Sequence, residues 1–332
     1  MKKLIILKTQ LAEAAKFARS KRHAHKRIAV ILLDNFIEIQ LSAMMKNVFR
    51  VDGYWNRSNK KYTPHERKKI QKYHQELLTA CVKENIISVE DKVIISFCHD
   101  IRNNLYHQGD EDTLLTKVAL IFIHEIVLRY QLGWKNGQLG FILRKDDIDP
   151  YASKGTSPIN ANSDKEWRYF LKKYINWIDK EEKSPQQMLS EYLLNKLNES
   201  QEWFNYIESE HGNHFLSMQG WEFNDYLVHY SFYILEKEKI ELLQSITNSE
   251  EKANAFKNLY KAYQKNWKPI KKPRIEILAR ESYRLTNLSQ ARCIEKYLYL
   301  RQEVLLINTT LKSAVEVIDQ LVEEQIERSR LK

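Results

Sequence analysis

The chain has 332 residues, of which 43% are hydrophobic and 29% are charged, and this length suggests two domains. With 8 Gly and 6 Pro it lacks the turn residues of an all-β fold, and its three cysteines are too few and too widely spaced for a disulfide framework. The net charge of +10 favours polyanionic partners, because each phosphate that a cation neutralises releases a counterion.

The N-terminal segment is strongly basic. Residues 1–30 hold nine Lys or Arg and one acid, Glu13. The candidates for RNA contact in this segment are Arg19, Lys21, Arg22, Lys26 and Arg27. A solvated helix face explains the same charges. The apolar run Leu4–Leu7 is shorter than the roughly 7–15 residues of a secretory leader, so the sequence predicts a cytoplasmic protein without membrane contact.

Apolar residues at helical spacing predict four helices within residues 1–132. The apolar stripes run over Leu33–Val48, Ile70–Cys81, Ile94–Leu105 and Leu115–Ile126. Pro64 fits the first turn of the second helix, and Ser88 is expected to cap the third. Short connections between four helices favour an antiparallel bundle.

Residues 133–165 contain four of the eight glycines and predict a linker, with a short hairpin near Phe141. Helices are predicted near 164–183, 185–210, 224–243 and 248–266, with N-terminal capping boxes that begin at Ser163, Ser184 and Thr247. A last apolar seam could pack within the chain or on a partner, and it comprises Leu311, Val315, Ile318 and Val322. The predicted fold is therefore all-α: a bundle over 1–132, a linker over 133–165, and a helical domain of unassigned role over 166–332.

The segment from His99 to Gly109 is the one that suggests chemistry. Arg102, Asn103 and His107 stand as R-N-x-x-x-H at the end of the third predicted helix. Arginine presents a bidentate fork to phosphate oxygens, and histidine can act as a base near neutral pH, while an amide can orient either group. Five residues separate Arg102 from His107, or about 140° on an ideal helix. The two can converge if the helix loosens before Gly109, or across a two-fold axis.

This motif resembles that of the HEPN family (higher eukaryotes and prokaryotes nucleotide-binding domain). Leu33-Asp34-Asn35 and Glu38 on a long first helix are also similar to many bacterial members, and the resemblance covers about residues 25–132. It implies a metal-independent endoribonuclease without a cofactor, with Arg102, Asn103 and His107 as catalytic residues. It further implies a homodimer whose two motifs face one cleft, a toxin or antiviral defence role, and an antitoxin or regulatory protein as a further partner.

Other interpretations stand beside this one. Arg102 could pair with Asp100, Asp110 or Asp112, and His107 could simply close a turn. The chain could then be a non-catalytic HEPN-like scaffold that binds RNA or a protein partner. A catalytic site needs Arg102 and His107 exposed within reach of one phosphate, whereas a scaffold would bury them in ion pairs. No metal site is predicted, since His211 and His214 have no obvious third ligand, and the aromatic residues of 167–233 are expected to be mostly core.

Overall fold

A computed structural model describes residues 2–55, 61–107, 113–130, 149–154, 164–178, 183–209, 214, 220 and 222–330. These residues form thirteen α-helices and one 3₁₀ helix, with no strand among them, which confirms the predicted all-α class. In chain order the α-helices are α1 (Lys2–Ala18), α2 (His23–Trp55), α3 (Pro64–Lys72), α4 (His74–Lys83), α5 (Val89–His107), α6 (Thr113–Tyr130), α7 (Asp164–Trp177), α8 (Pro185–Glu208), α9 (Phe223–Leu235), α10 (Lys237–Leu243), α11 (Ser249–Asn266), α12 (Lys272–Tyr283) and α13 (Gln290–Arg330). The 3₁₀ helix is Arg284–Asn287.

The chain divides into two compact units. The first comprises Met1–Leu189 with Ser289–Glu295, and the second comprises Ser190–Leu288 with Lys296–Lys332. These units do not follow the predicted ranges, because α7 packs against α1 and so belongs to the first unit. Most of the predicted linker, including the hairpin expected near Phe141, lies outside the described residues.

Helix α2 is the centre of the first unit and packs against α1, α4, α5 and α6. Leu33, Ile37 and Leu41 are buried as the stripe predicts, and the core then continues through Met45 and Phe49 at steps of four. Among the described residues, one segment, His23–Asp52, is long and apolar enough to cross a bilayer, and half of it is buried inside the protein. A core helix meets the same criteria.

Helix α1 is an element that the sequence patterns did not predict. Its buried face carries Leu7, Leu11 and Ala14, and Lys8 lies on the same side with no exposed surface. The ammonium group of Lys8 lies 2.5 Å from a carboxylate oxygen of Asp149, which anchors the short segment 149–154 to this helix. A buried charge of this kind is tolerated only because it is paired.

The helix boundaries follow local capping chemistry. The predicted second helix is two helices, because the extended backbone of Tyr73 (φ −113°, ψ 124°) ends α3 and begins α4. Ser88 caps α5 by accepting from the backbone N–H of Asp91 over 2.9 Å, and Ser184 caps α8, both as predicted. The cap of α11 is Asn248 rather than Thr247.

The second unit is also helical throughout its described part. The helix predicted over 224–243 is interrupted at Glu236, which separates α9 from α10. Leu311 and Ile318 of the final seam are fully buried in the chain itself. The hydroxyl of Tyr226 donates to the backbone carbonyl of Ala314 over 2.7 Å and ties α9 to α13.

Candidate functional site

A buried carboxylate organises the end of α5 that carries the predicted motif. Asp34 of α2 is 1% exposed, and its Oδ2 accepts a hydrogen bond of 2.9 Å from Nδ1 of His99. The Nε of Arg102 lies 3.8 Å from the same oxygen. His99 and Arg102 are three residues apart on α5, so one helix face presents both to Asp34.

Arg102 is also bonded to the residue that follows it. Its Nη1 donates to Oδ1 of Asn103 over 2.9 Å, which orients the Asn103 amide. The Arg102 side chain is 30% exposed, whereas that of Asp34 is 2% exposed. The guanidinium group is therefore held from the protein side by Asp34 and Asn103, and part of it remains accessible.

A second histidine, His74, packs against His99. The ring of His74, at the start of α4, stacks on the ring of His99 with centroids 3.6 Å apart and an interplanar angle of 6°. Burial lowers the pKa of His74 to about 4, and the neighbouring His99 and Arg102 act in the same direction while Asp34 opposes them. His74 is therefore neutral near pH 7. We call Asp34, His74, His99, Arg102 and Asn103 the Asp34 cluster.

His107 is the last residue of α5, and its side chain lies outside the described residues, as do Gly109, Asp110 and Asp112. The backbone of α5 is helical without interruption through His107, so the helix does not loosen between Arg102 and this residue. On a regular helix the two positions are then about 140° apart. One of the two ways in which Arg102 and His107 could converge, a loosened helix between them, is therefore not observed.

The basic residues of the N-terminal segment fall into two groups. Arg19, Lys21 and Arg22 are exposed, in and beside the turn between α1 and α2, whereas Lys26 and Arg27 are half-buried in the first turns of α2. Two histidines fix this turn: His25 bonds the Ser20 hydroxyl over 2.8 Å, and His23 bonds the Thr116 hydroxyl of α6 over 3.2 Å.

The remaining candidates have structural roles or lie outside the described residues. Within the described part of the chain, no group of three or more His, Cys, Asp or Glu side chains could hold a metal ion. His211 lies outside that part, while His214 lies within it and is exposed. All three cysteines are buried free thiols, and burial raises the pKa of Cys81 to about 12. Trp167, Tyr174 and Tyr226 are buried core residues, whereas Trp203 and Tyr230 are half-buried and Tyr233 is exposed.

Sequence reasoning did not assign a role in the site to Asp34, His74 or His99. Asp34 had a detectable signal, because it is an acid within the apolar stripe of α2, where a charge requires a partner. His99 precedes Arg102 by one helical turn, which is a weaker signal. His74 had none, since its position depends on the break at Tyr73.

Comparison of the chain with protein-family models, with curated proteins and with solved structures gives no match. The resemblance to the HEPN family therefore rests on the residues of the motif and their positions alone, and it stays a prediction.

Proposed function

We propose that this protein is a metal-independent endoribonuclease of HEPN type that acts as a homodimer. The observation that carries the proposal is the state of Arg102: a part-exposed guanidinium that a buried carboxylate and Asn103 hold in position. A phosphate oxygen can reach Arg102 only through such exposed surface. Arg102 stands five residues before His107 on the same uninterrupted helix, which is the order of the R-N-x-x-x-H motif.

The proposed reaction is an internal transesterification. His107 takes the proton of a ribose 2′-hydroxyl, and the 2′-oxygen attacks the adjacent phosphorus. The bond from phosphorus to the 5′-oxygen breaks, and that oxygen takes up a proton. Arg102 binds the phosphate oxygens through its planar fork while negative charge builds on them. The products are a 2′,3′-cyclic phosphate and a 5′-hydroxyl end.

A homodimer supplies what one motif lacks. Because the positions of Arg102 and His107 are about 140° apart on one helix, we expect a single chain to offer one phosphate either the cation or the base. A two-fold axis beside α5 brings the same surfaces of two chains together, since such an interface is isologous. One cleft then contains two arginines and two histidines.

The test is RNA cleavage by the purified full chain in EDTA. We expect mixed RNA to be cut to fragments with cyclic-phosphate ends, and His107→Ala to lower the rate by about 10²–10⁴, which is the usual contribution of a proton transfer. Circular dichroism of both proteins verifies that the variant is folded. Equal cleavage by the two proteins would contradict the proposal, because a contaminating nuclease would then be the source.

The second candidate function is a non-catalytic scaffold that binds RNA or a protein partner. The ion pair of Arg102 with buried Asp34 is the observation that favours it, since such pairs also fix the packing of helices. RNA that is bound but left uncut by the wild-type protein would select this candidate. In the catalytic case, a toxin or antiviral effector is the expected cellular role, with an antitoxin or regulatory protein as its partner.

A further inference from the structure

One face of α6 borders a cavity of about 690 Å³ within the first unit. The other walls come from the end of α1 and from the starts of α2, α8 and α13. The apolar part of the lining comprises Leu120, Ile121, Leu128 and Ile178. A cavity of this size and lining suits a small molecule with an apolar body rather than a macromolecule.

The charged part of the lining is mainly cationic. The cavity is bordered by Lys26, Lys117 and Lys183, and of these Lys26 and Lys117 form no ion pair with any residue that the structure describes. The N-terminus of α8 adds the positive end of a 24-residue helix at Ser184 and Pro185. The lining also includes the carboxylate of Glu125, which accepts a hydrogen bond of 2.7 Å from Gln290. The net positive charge of the lining favours an anionic ligand.

His124 provides a second observation that indicates a ligand, independent of the charges. It lines the cavity, is 5% exposed, and donates from Nδ1 to the backbone carbonyl of Leu120 over 2.7 Å. Because Nδ1 carries the proton, Nε2 is an acceptor, and it has no hydrogen-bond partner among the described residues. Tyr174 lies beside it, with ring centroids 5.8 Å apart, but the Tyr174 hydroxyl does not bond it either.

Burial lowers the pKa of His124 to about 4, so the ring stays neutral and Nε2 keeps its lone pair near pH 7. A buried acceptor without a donor costs free energy, and such atoms in folded proteins are usually satisfied by water or a ligand. An occupant of this cavity that carries an N–H or O–H group would satisfy it.

We propose that the α6 cavity binds a phosphate monoester whose apolar ring system carries a hydrogen-bond donor. The phosphate is held by Lys26, Lys117 and the N-terminus of α8. The ring packs on the apolar side of the cavity, and its donor bonds Nε2 of His124. This site is independent of RNA cleavage, so failure of one proposal leaves the other intact.

The test is isothermal titration calorimetry of the full chain with three ring phosphates, which are phosphate monoesters whose rings carry an N–H or O–H donor: AMP, GMP and pyridoxine 5′-phosphate. We expect at least one of them to bind, and to bind at least tenfold more tightly than inorganic phosphate and than the same compound without its phosphate. Failure of all three to bind at about 1 mM would overturn the proposal. Inorganic phosphate that binds as tightly as the ring phosphates would overturn it as well, since the ring would then contribute nothing.

Two variants and a matched control locate the site. Lys117→Gln should weaken binding about tenfold, because one charge-assisted hydrogen bond is lost. His124→Phe should weaken it at least as much, since the acceptor Nε2 disappears. The substitution also removes the hydrogen bond from Nδ1 to Leu120 and enlarges the ring, so circular dichroism verifies that the variant is folded. Lys68→Gln, on an exposed position of α3, should leave binding unchanged. Unchanged binding by Lys117→Gln, which keeps the core intact, would overturn the assignment even if His124→Phe fails to fold.

Discussion

The Asp34 cluster and the α6 cavity differ in what their charged side chains contact. In the Asp34 cluster, His99 and Arg102 both face one buried carboxylate, and Asn103 accepts a further bond from the arginine. In the cavity, Lys117 has no ion pair and His124 keeps an acceptor without a donor, in each case among the described residues. In the first region the charged side chains contact one another, although both ring nitrogens of His74 are buried without a hydrogen-bond partner among the described residues. In the second region Lys117 and His124 are left to be satisfied by a ligand.

The difference indicates that the electrostatic interactions of the Asp34 cluster fix its structure, whereas those of the cavity are available to a ligand. A buried carboxylate with two cationic or polar neighbours fixes the direction of a guanidinium group, and removal of one member leaves the others unpaired. Lys26, Lys117 and Nε2 of His124 lack such partners among the described residues. Removal of one of these groups should therefore change the stability of the empty protein little but weaken the binding of a ligand. Each prediction below tests one side of this contrast, from the largest effect to the smallest.

The largest expected effect is the loss of RNA cleavage when Arg102 or His107 is removed. Arg102→Ala and His107→Ala should each lower RNA cleavage by about 10² or more when assayed alone. A mixture of the two variants should regain measurable activity, because a mixed dimer contains one intact arginine and one intact histidine in the same cleft. The cleavage rate is measured against the mixing ratio, and the oligomeric state is measured by light scattering. A strictly monomeric particle that cleaves RNA would contradict the dimer.

The next effect concerns Asp34 itself. Asp34→Ala should lower the free energy of unfolding by about 3 kcal/mol, at the low end for a broken buried pair because Arg102 is partly exposed. RNA cleavage should fall with it even at temperatures where the variant is folded, since Arg102 loses its support. Urea denaturation and the cleavage assay measure the two effects.

Asp100→Asn is the matched control for Asp34→Ala. Asp100 lies on α5 between His99 and Ile101 but is exposed, so its substitution should change the free energy of unfolding by no more than about 0.5 kcal/mol. Similar losses in the two variants would mean that Asp34 does not hold the cluster.

The two regions also differ in how much of them the sequence predicts. Periodicity locates α2, α5 and α6, because an amphipathic helix must turn its apolar stripe inward, and capping chemistry locates Ser88 and Ser184. Neither periodicity nor capping shows which side chains of different helices meet, so the contact of Asp34 with Arg102 was not predicted. The cavity has no sequence signature, since its walls come from five helices and His124 lies in an apolar run that resembles ordinary core.

A pH effect of intermediate size follows from His74. Its pKa is about 4 in the folded protein against about 6.5 in the unfolded chain, so the unfolded chain binds more protons between these values. The contribution of His74 to stability is complete above pH 6.5 and is lost as the pH falls towards 4. The loss is about 2 kcal/mol at pH 5. His74→Gln should make the free energy of unfolding less dependent on pH over this range, as measured by urea denaturation at pH 7.5, 6 and 5.

The control for this pH effect is His65→Gln, since His65 is an exposed histidine of α3. It should leave the pH dependence unchanged. If both substitutions flatten the dependence equally, the effect belongs to general charge and not to the burial of His74. The neighbours that act on the pKa of His74, which are His99, Arg102 and Asp34, remain in both variants.

The smallest effect separates two lysines that are close in sequence. Lys21 is exposed, whereas Lys26 lines the α6 cavity. Lys21→Gln should lower the slope of log affinity for single-stranded RNA against log salt by about 0.7, which is the loss of one phosphate contact. Lys26→Gln should leave that slope unchanged and weaken the binding of the ring phosphate. Fluorescence anisotropy from about 50 to 200 mM salt measures the slope. If Lys26→Gln lowers the slope as much as Lys21→Gln does, then Lys26 contacts RNA. The assignment of Lys26 to a cavity that binds a small anion would then be wrong.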